Sequence, residues 1–204
     1  TTFVKVRQDL LTDFPKSHKL DLLEKESGYS VNKDWLNSLA FHTQVVVKKS
    51  ELNYAHGRVL YTVLRNYLAT LQQDSKTVNI LETGTARGFS AVCMAKALSD
   101  SGFEGSICTV DVLPHFKKMF WNCAADHTKG DQTRHNLLSN WTDLAERYII
   151  FIQGFTKHIL PKIASSANGA EDRPRKLLFL STPCQNSWLV YASSTSFANC
   201  WYSE

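Results

Sequence analysis

The chain has 204 residues, enough for one ordinary domain with a buried core. Hydrophobic and charged fractions of 43% and 21% are those of a globular protein and exclude a disordered one. A net charge of +4 without a dense Lys/Arg run argues against a nucleic-acid partner, and no apolar run approaches the roughly 18–20 residues that cross a bilayer.

The opening segment TTFVKVRQDLLTDFPK lacks the apolar centre of a secretory signal. The five cysteines are odd in number and contain no CxxC pair, so neither a disulfide framework nor a structural zinc site is expected. The expected setting is reducing and cytoplasmic. Residues 1–75 read as an N-terminal helical segment. In GRVLYTVLRNYLATLQQ the positions Leu60, Leu64, Tyr67, Leu68 and Leu71 recur at helical spacing, which predicts a single apolar face.

KTVNILE then predicts a buried parallel strand, and AVCMAKAL a helix apolar almost all round, pressed against a sheet. GSICTVDV predicts a second strand ending at Asp111. HNLLSNWTDLAERY repeats the helical pattern through Leu137, Leu138, Trp141 and Leu144. YIIFIQG reads as a third strand, TKHILPKI as a short helix and KLLFL as a fourth strand. This alternation predicts an α/β fold: a Rossmann-like parallel sheet over residues 76–183, with right-handed crossovers and helices on both faces. Residues 184–204 break the rhythm. They carry one charged residue, Glu204, and no period of either kind, so they read as an atypical tail. The expectation is a fold incomplete at this end, through truncation or a change of reading frame, with a sheet edge for a second copy to cover.

Ligands of open parallel sheets sit beyond the carboxyl ends of the strands. The turn from Glu82 to Gly88 lies at such an end. Gly84 permits close backbone approach there, and Gly88 lets the next helix start near the strand with its first N–H groups exposed. No lysine follows Gly88, which excludes a phosphate-gripping P-loop. Gly84 is followed by Thr85, Ala86 and Arg87 rather than by the glycine of a GxGxxG dinucleotide turn. A leading carboxylate, Glu82, suits a cationic group such as an ammonium, and Asp111 suits the two hydroxyls of a ribose. Both ends together describe S-adenosylmethionine.

ETGTARGFS resembles the first motif of class I S-adenosylmethionine-dependent methyltransferases. It is most similar to the ExGxxxG[YF]S form of catechol- and caffeoyl-coenzyme-A-type O-methyltransferases, and related sugar and macrolide O-methyltransferases carry a similar pattern. SICTVDVLPH resembles the family's second motif, with Asp111 as the ribose acid. YIIFIQGFTKHILPKI resembles its third strand and following helix, so that Gly154 and Phe155 would border the adenine. The likeness runs from Tyr54 to Ile163. It implies a cofactor site of Glu82, Gly84, Thr85, Gly88, Asp111, Gly154 and Phe155, and methyl transfer to an oxygen of a small-molecule acceptor.

Such a reaction needs a group that takes the acceptor's proton. His56, ahead of a helix, and His115, four residues past Asp111, are the candidates, each weighed against an ordinary surface histidine. Arg87 reads as solvent-facing, or as a partner for a substrate carboxylate. Asp126, His127, Asp131 and His135 in ADHTKGDQTRH match no zinc spacing and read as a polar loop. In the resembling enzymes a divalent ion, such as magnesium, often activates the acceptor. Here Ser181 and Thr182 stand where its acid would be expected, so the residues give it no support. Two alternatives remain at this stage: a non-catalytic relative that at most binds the nucleoside, and, weaker, an NAD-dependent oxidoreductase.

Overall fold

In the computed structural model, which describes residues 18–46, 54–71, 77–168, 177–181, 187–193 and 200–203, four strands run parallel through the centre of the chain. They are β1 (Asn79–Thr83), β2 (Ile107–Asp111), β3 (Ile149–Gln153) and β4 (Leu177–Ser181). Sheet order is β3-β2-β1-β4-β5-β6, with β5 (Ser187–Ser193) and β6 (Cys200–Ser203) added antiparallel. The order moves outward from β1 to β3 and then returns past β1 to β4. Right-handed crossovers therefore place the β3–β4 helix on the face opposite the others, and the direction changes between β1 and β4. This is the Rossmann-like α/β fold that the alternation of strand and helix predicts.

Three helices precede the sheet: α1 (His18–Ser27), α2 (Lys33–Thr43) and α3 (His56–Ala69). Leu60, Leu64 and Leu68 of α3 are buried, with Tyr67 and Leu71 packed alongside, which is the apolar face read from the sequence. That face lies on α4 (Phe89–Asp100), whose residues from Phe89 to Leu98 are all buried except Lys96. A helix sandwiched between a sheet and an outer helix layer must be apolar on every side. Arg58, buried at the start of α3, holds α1 in place. Its Nε donates to Glu24 Oε1 at 2.9 Å and a terminal nitrogen to Asp21 Oδ1 at 2.6 Å.

Three stretches depart from the sequence reading. The ADHTKGDQTRH segment is helical in part: α5 (Ala124–Lys129) starts on a box in which Asp126 accepts from the Cys123 N–H at 3.1 Å, and it stops at Gly130. The helix predicted over HNLLSNWTDLAERY is broken into α6 (Arg134–Leu137), a 3-10 turn (Ser139–Trp141) and α7 (Thr142–Tyr148). Its apolar period is intact, but the Thr142 hydroxyl donates to the Ser139 carbonyl at 2.8 Å, and the Trp141 N–H reaches back only to Leu138. Local hydroxyl-to-backbone bonds compete with the continuous ladder there. After β3 comes α8 (Thr156–Asn168), which packs towards β2. The segment expected to be free of regular elements supplies β5 and β6, a pairing that its sequence period does not announce.

Among the described residues, no helix is long and apolar enough to cross a membrane.

Candidate functional site

Three backbone positions give the turn after β1 its shape. Gly84 and Gly88 have φ of 85° and 89°, and Ala86 between them has φ 45°. Glycine adopts such angles without cost, whereas an alanine there must be held. Ala86 is gripped at both ends: its N–H donates to Asp111 Oδ2 at 2.6 Å, and its carbonyl accepts from Arg134 Nε at 2.8 Å. Further bonds fix the rest of the turn, from Gly84 N–H to the Val110 carbonyl (2.9 Å) and from Gly88 N–H to the Thr85 carbonyl (2.8 Å). A Cβ on Gly88 would lie 2.8 Å from Leu138 Cδ1, so α4 begins where only glycine fits.

Asp111 stands at the end of β2 as the sequence places it. Its second oxygen, Oδ1, accepts from the Leu113 N–H at 2.9 Å, and Arg134 lies 3.9 Å from Oδ2. A carboxylate offers about four acceptor directions, so two N–H bonds leave capacity for ligand hydroxyls. Its side chain is 10% exposed. The Gly154 N–H donates to the Asp111 carbonyl at 2.8 Å, which brings the end of β3 beside it. Gly84, Ala86, Val112 and Phe155 are all exposed along this edge. Phe155 is therefore no core aromatic.

Glu82 corrects the expectation of an open cationic grip. It is 1% exposed, and both its oxygens are occupied: the Ser90 hydroxyl donates to Oε1, and the Thr109 hydroxyl to Oε2 at 2.5 Å. Thr85, also expected at the ligand, is turned inward with its hydroxyl 2.6 Å from that of Thr109. Because Thr109 gives its proton to Glu82, Thr85 donates to Thr109. Burial raises the Glu82 carboxyl to about 7, against the lowering effect of the two hydroxyls. The cause of the correction is register. Glu82 pairs with Thr109, two residues short of Asp111 on the same face, so it lies one layer beneath the edge.

Arg134 is the residue that sequence reasoning missed. It is 2% exposed and bonds the Ala86 carbonyl and, at 3.2 Å, the Leu113 carbonyl. Its guanidinium lies over the rings of Trp121 and Phe151 at 5.3 and 5.7 Å. It joins the glycine turn to the loop after β2 and sets its positive charge beside Asp111. A lone arginine in a polar stretch carries no periodic signal that could have revealed this. Arg87, read as solvent-facing or substrate-pairing, does neither: its Nε donates to the Trp121 carbonyl at 3.0 Å.

The two histidines separate. His56 has its ring 4.7 Å from that of Phe89, the residue directly after Gly88, and so stays beside the turn. His115 is stacked on Phe151 of β3 at 3.9 Å, and its Nδ1 is buried without a partner among the described residues. Burial, with the charges of Arg134 and His135, pushes it down to about 4. A base that weak takes little share in proton removal near neutral pH. Among the described residues no group of three or more His, Cys, Asp and Glu side chains is placed to hold a metal ion. Thr182 lies outside the described residues.

No protein-family model matches this sequence, and no curated protein does. Solved structures do resemble it. Cofactor-bound Rv0187 from MTB is 14% identical over 83% of this chain and 73% of its own, with a TM-score of 0.42. The SAH-bound methyltransferase PaMTH1 of Podospora anserina is 14% identical over 82% of this chain and 71% of its own, with a TM-score of 0.44.

Proposed function

We propose that this chain binds S-adenosylmethionine across the carboxyl ends of β1 and β2 and transfers its methyl group to an oxygen of a small-molecule acceptor. The observation that carries the reading is the bond from Ala86 to Asp111. It joins the two motifs that the sequence sets 25 residues apart into one edge, with a carboxylate at its centre. Asp111 would accept the ribose hydroxyls through its remaining lone pairs. The exposed Val112 and Phe155 would flank the base, with Gly154 permitting its approach. Gly84 offers bare backbone to the amino-acid end. Glu82, Thr85 and Gly88 act beneath this surface, by fixing the turn rather than by touching the ligand.

Bound in this way, the sulfonium supplies an already activated methyl group, and the protein's work is alignment and removal of the acceptor's proton. Of the two histidines, His56 retains the position for that second task. A second reading, nucleoside binding without transfer, is favoured by Ser181, which ends β4 where the resembling enzymes carry an acid. A small acceptor, and a cap of residues 1–75 that selects it, belong to the first reading.

Calorimetric titration with S-adenosylhomocysteine and NAD tests the binding common to both. Binding of the former and not of the latter is expected. Asp111→Asn, which keeps an acceptor for the Ala86 N–H, should weaken it by about 1–3 kcal/mol, the worth of a hydrogen bond to a charged group. NAD binding alone, or unchanged affinity in the variant, overturns the site. A radiolabelled methyl assay against pooled phenols, sugars and acids, with and without magnesium, then separates transfer from binding alone.

A further inference from the structure

Beside this edge, and not part of it, a cleft of about 600 Å³ opens between β3 and the α6–α7 segment. None of its walls comes from residues 82–88, from Asp111 or from Gly154 and Phe155. Its floor is apolar, built from Leu138, Ala145, Ile149 and Phe151. That volume is within the range of small-molecule sites, as is an apolar floor with few polar groups around it. The alternation of β3 explains the floor. Ile149 and Phe151 share the face that α7 covers, and the short residue Ala145 leaves the space between them open.

The mouth is aromatic and carries a lysine. Phe116 is 76% exposed there, with its ring 5.6 Å from His135 and 4.5 Å from His115. Most of this phenyl ring faces water at the lip of an apolar cleft. Lys117 faces the cleft beside one acid, Glu146, and the buried Arg134 borders it with its charge set beside Asp111. Burial first, and then the charges of Arg134 and His135, hold the His115 ring in its neutral form.

We propose that this cleft is a second ligand site, taking a flat aromatic molecule that bears one anionic group, with its ring on the floor of Leu138, Ala145 and Ile149 and beside Phe116, and its anion towards Lys117. The site stands independently of the methyl-transfer reading, because it shares only the Arg134 and Gln153 borders with the strand-end edge.

The probe is 2-naphthoate, titrated calorimetrically into the full chain with and without saturating S-adenosylhomocysteine, with 2-naphthol and cyclohexanecarboxylate as companions. 2-Naphthoate is expected to bind tightest, about three- to tenfold better than the neutral naphthol, as one exposed charge pair allows. The non-aromatic acid should be at least about tenfold weaker. Ala145→Trp, which fills the floor, should cost both naphthyl compounds more than about tenfold. Lys117→Glu, an exposed position that leaves folding intact, should weaken 2-naphthoate by about three- to tenfold and leave 2-naphthol unchanged. The proposal is overturned if 2-naphthoate does not bind, if it competes with S-adenosylhomocysteine, or if Lys117→Glu leaves its affinity unchanged. Failure of S-adenosylhomocysteine to bind would strike the strand-end site alone, since the naphthoate arms need no nucleoside.

Discussion

Glu82 and Asp111 sit near the carboxyl ends of adjacent parallel strands and point to the same face of the sheet, yet their surroundings are opposite. Glu82 is dry and bonded by two side-chain hydroxyls, with its carboxyl raised to about 7. Asp111 reaches the surface, is bonded by two backbone N–H groups and lies beside a guanidinium. Two residues of register, roughly 7 Å of strand, make the difference. The deeper acid fixes the strand-to-helix passage, and the outer one reaches the surface where the proposed ligand would lie. A carboxylate at a strand end is therefore not a binding group until its depth in the sheet is known.

The largest test of this contrast falls on the residue that completes the outer site. Arg134→Met removes a buried cation from beside Asp111 and takes the side-chain donor from the Ala86 and Leu113 carbonyls. A loss of about 3–5 kcal/mol in urea unfolding is expected, with partial recovery in Arg134→Lys. A loss below 1 kcal/mol would mean that the turn holds itself.

The inner acid is tested by pH. Its proton affinity is raised in the folded chain, from an ordinary 4.5 to about 7, so the folded state holds a proton that the unfolded state has released. Stability from this group is fully present below about pH 4.5, falls as pH rises through that window and is flat above about 7. Glu82→Gln cannot ionise, and its amide can still meet both hydroxyls. Relative to that variant, the parent should lose roughly 3 kcal/mol across the window, followed by denaturant midpoints at each pH. Parallel curves for the two proteins would show that Glu82 is ionised throughout.

Smaller effects sharpen the layer between the two acids. Gly88→Ala must force a Cβ against Leu138 at a left-handed backbone angle, and should cost about 2 kcal/mol by thermal unfolding. Thr85→Val deletes only the hydroxyl given to Thr109 and should cost about 1 kcal/mol. If Thr85→Val instead abolished nucleoside binding with stability intact, that hydroxyl would belong to the ligand site and not to the layer beneath it.

Much of this was open to sequence reading because local patterns carry it. Leu60, Leu64 and Leu68 announce one face of α3 by their spacing alone, and the apolar run Ala91–Leu98 announces a helix without a wet side. Asp111 closes a β-branched run, so its place at the end of β2 follows from alternation and chain direction. The break at Ser139 was hidden because the apolar period continues through it. Arg134 was hidden because its partners, Ala86 and Leu113, are 48 and 21 residues away. The pairing of β5 and β6 was hidden because strands joining an existing sheet need no period of their own.

By itself the sequence determined the order of the four parallel strands, the glycine turn and the acid one strand further on, since each depends on neighbours close along the chain. Tertiary structure alone decided which acid is dry, which arginine is buried and where an aromatic cleft opens. Those outcomes depend on register and on contacts between distant segments, where burial reverses the behaviour of a charge that the same residue would show in water.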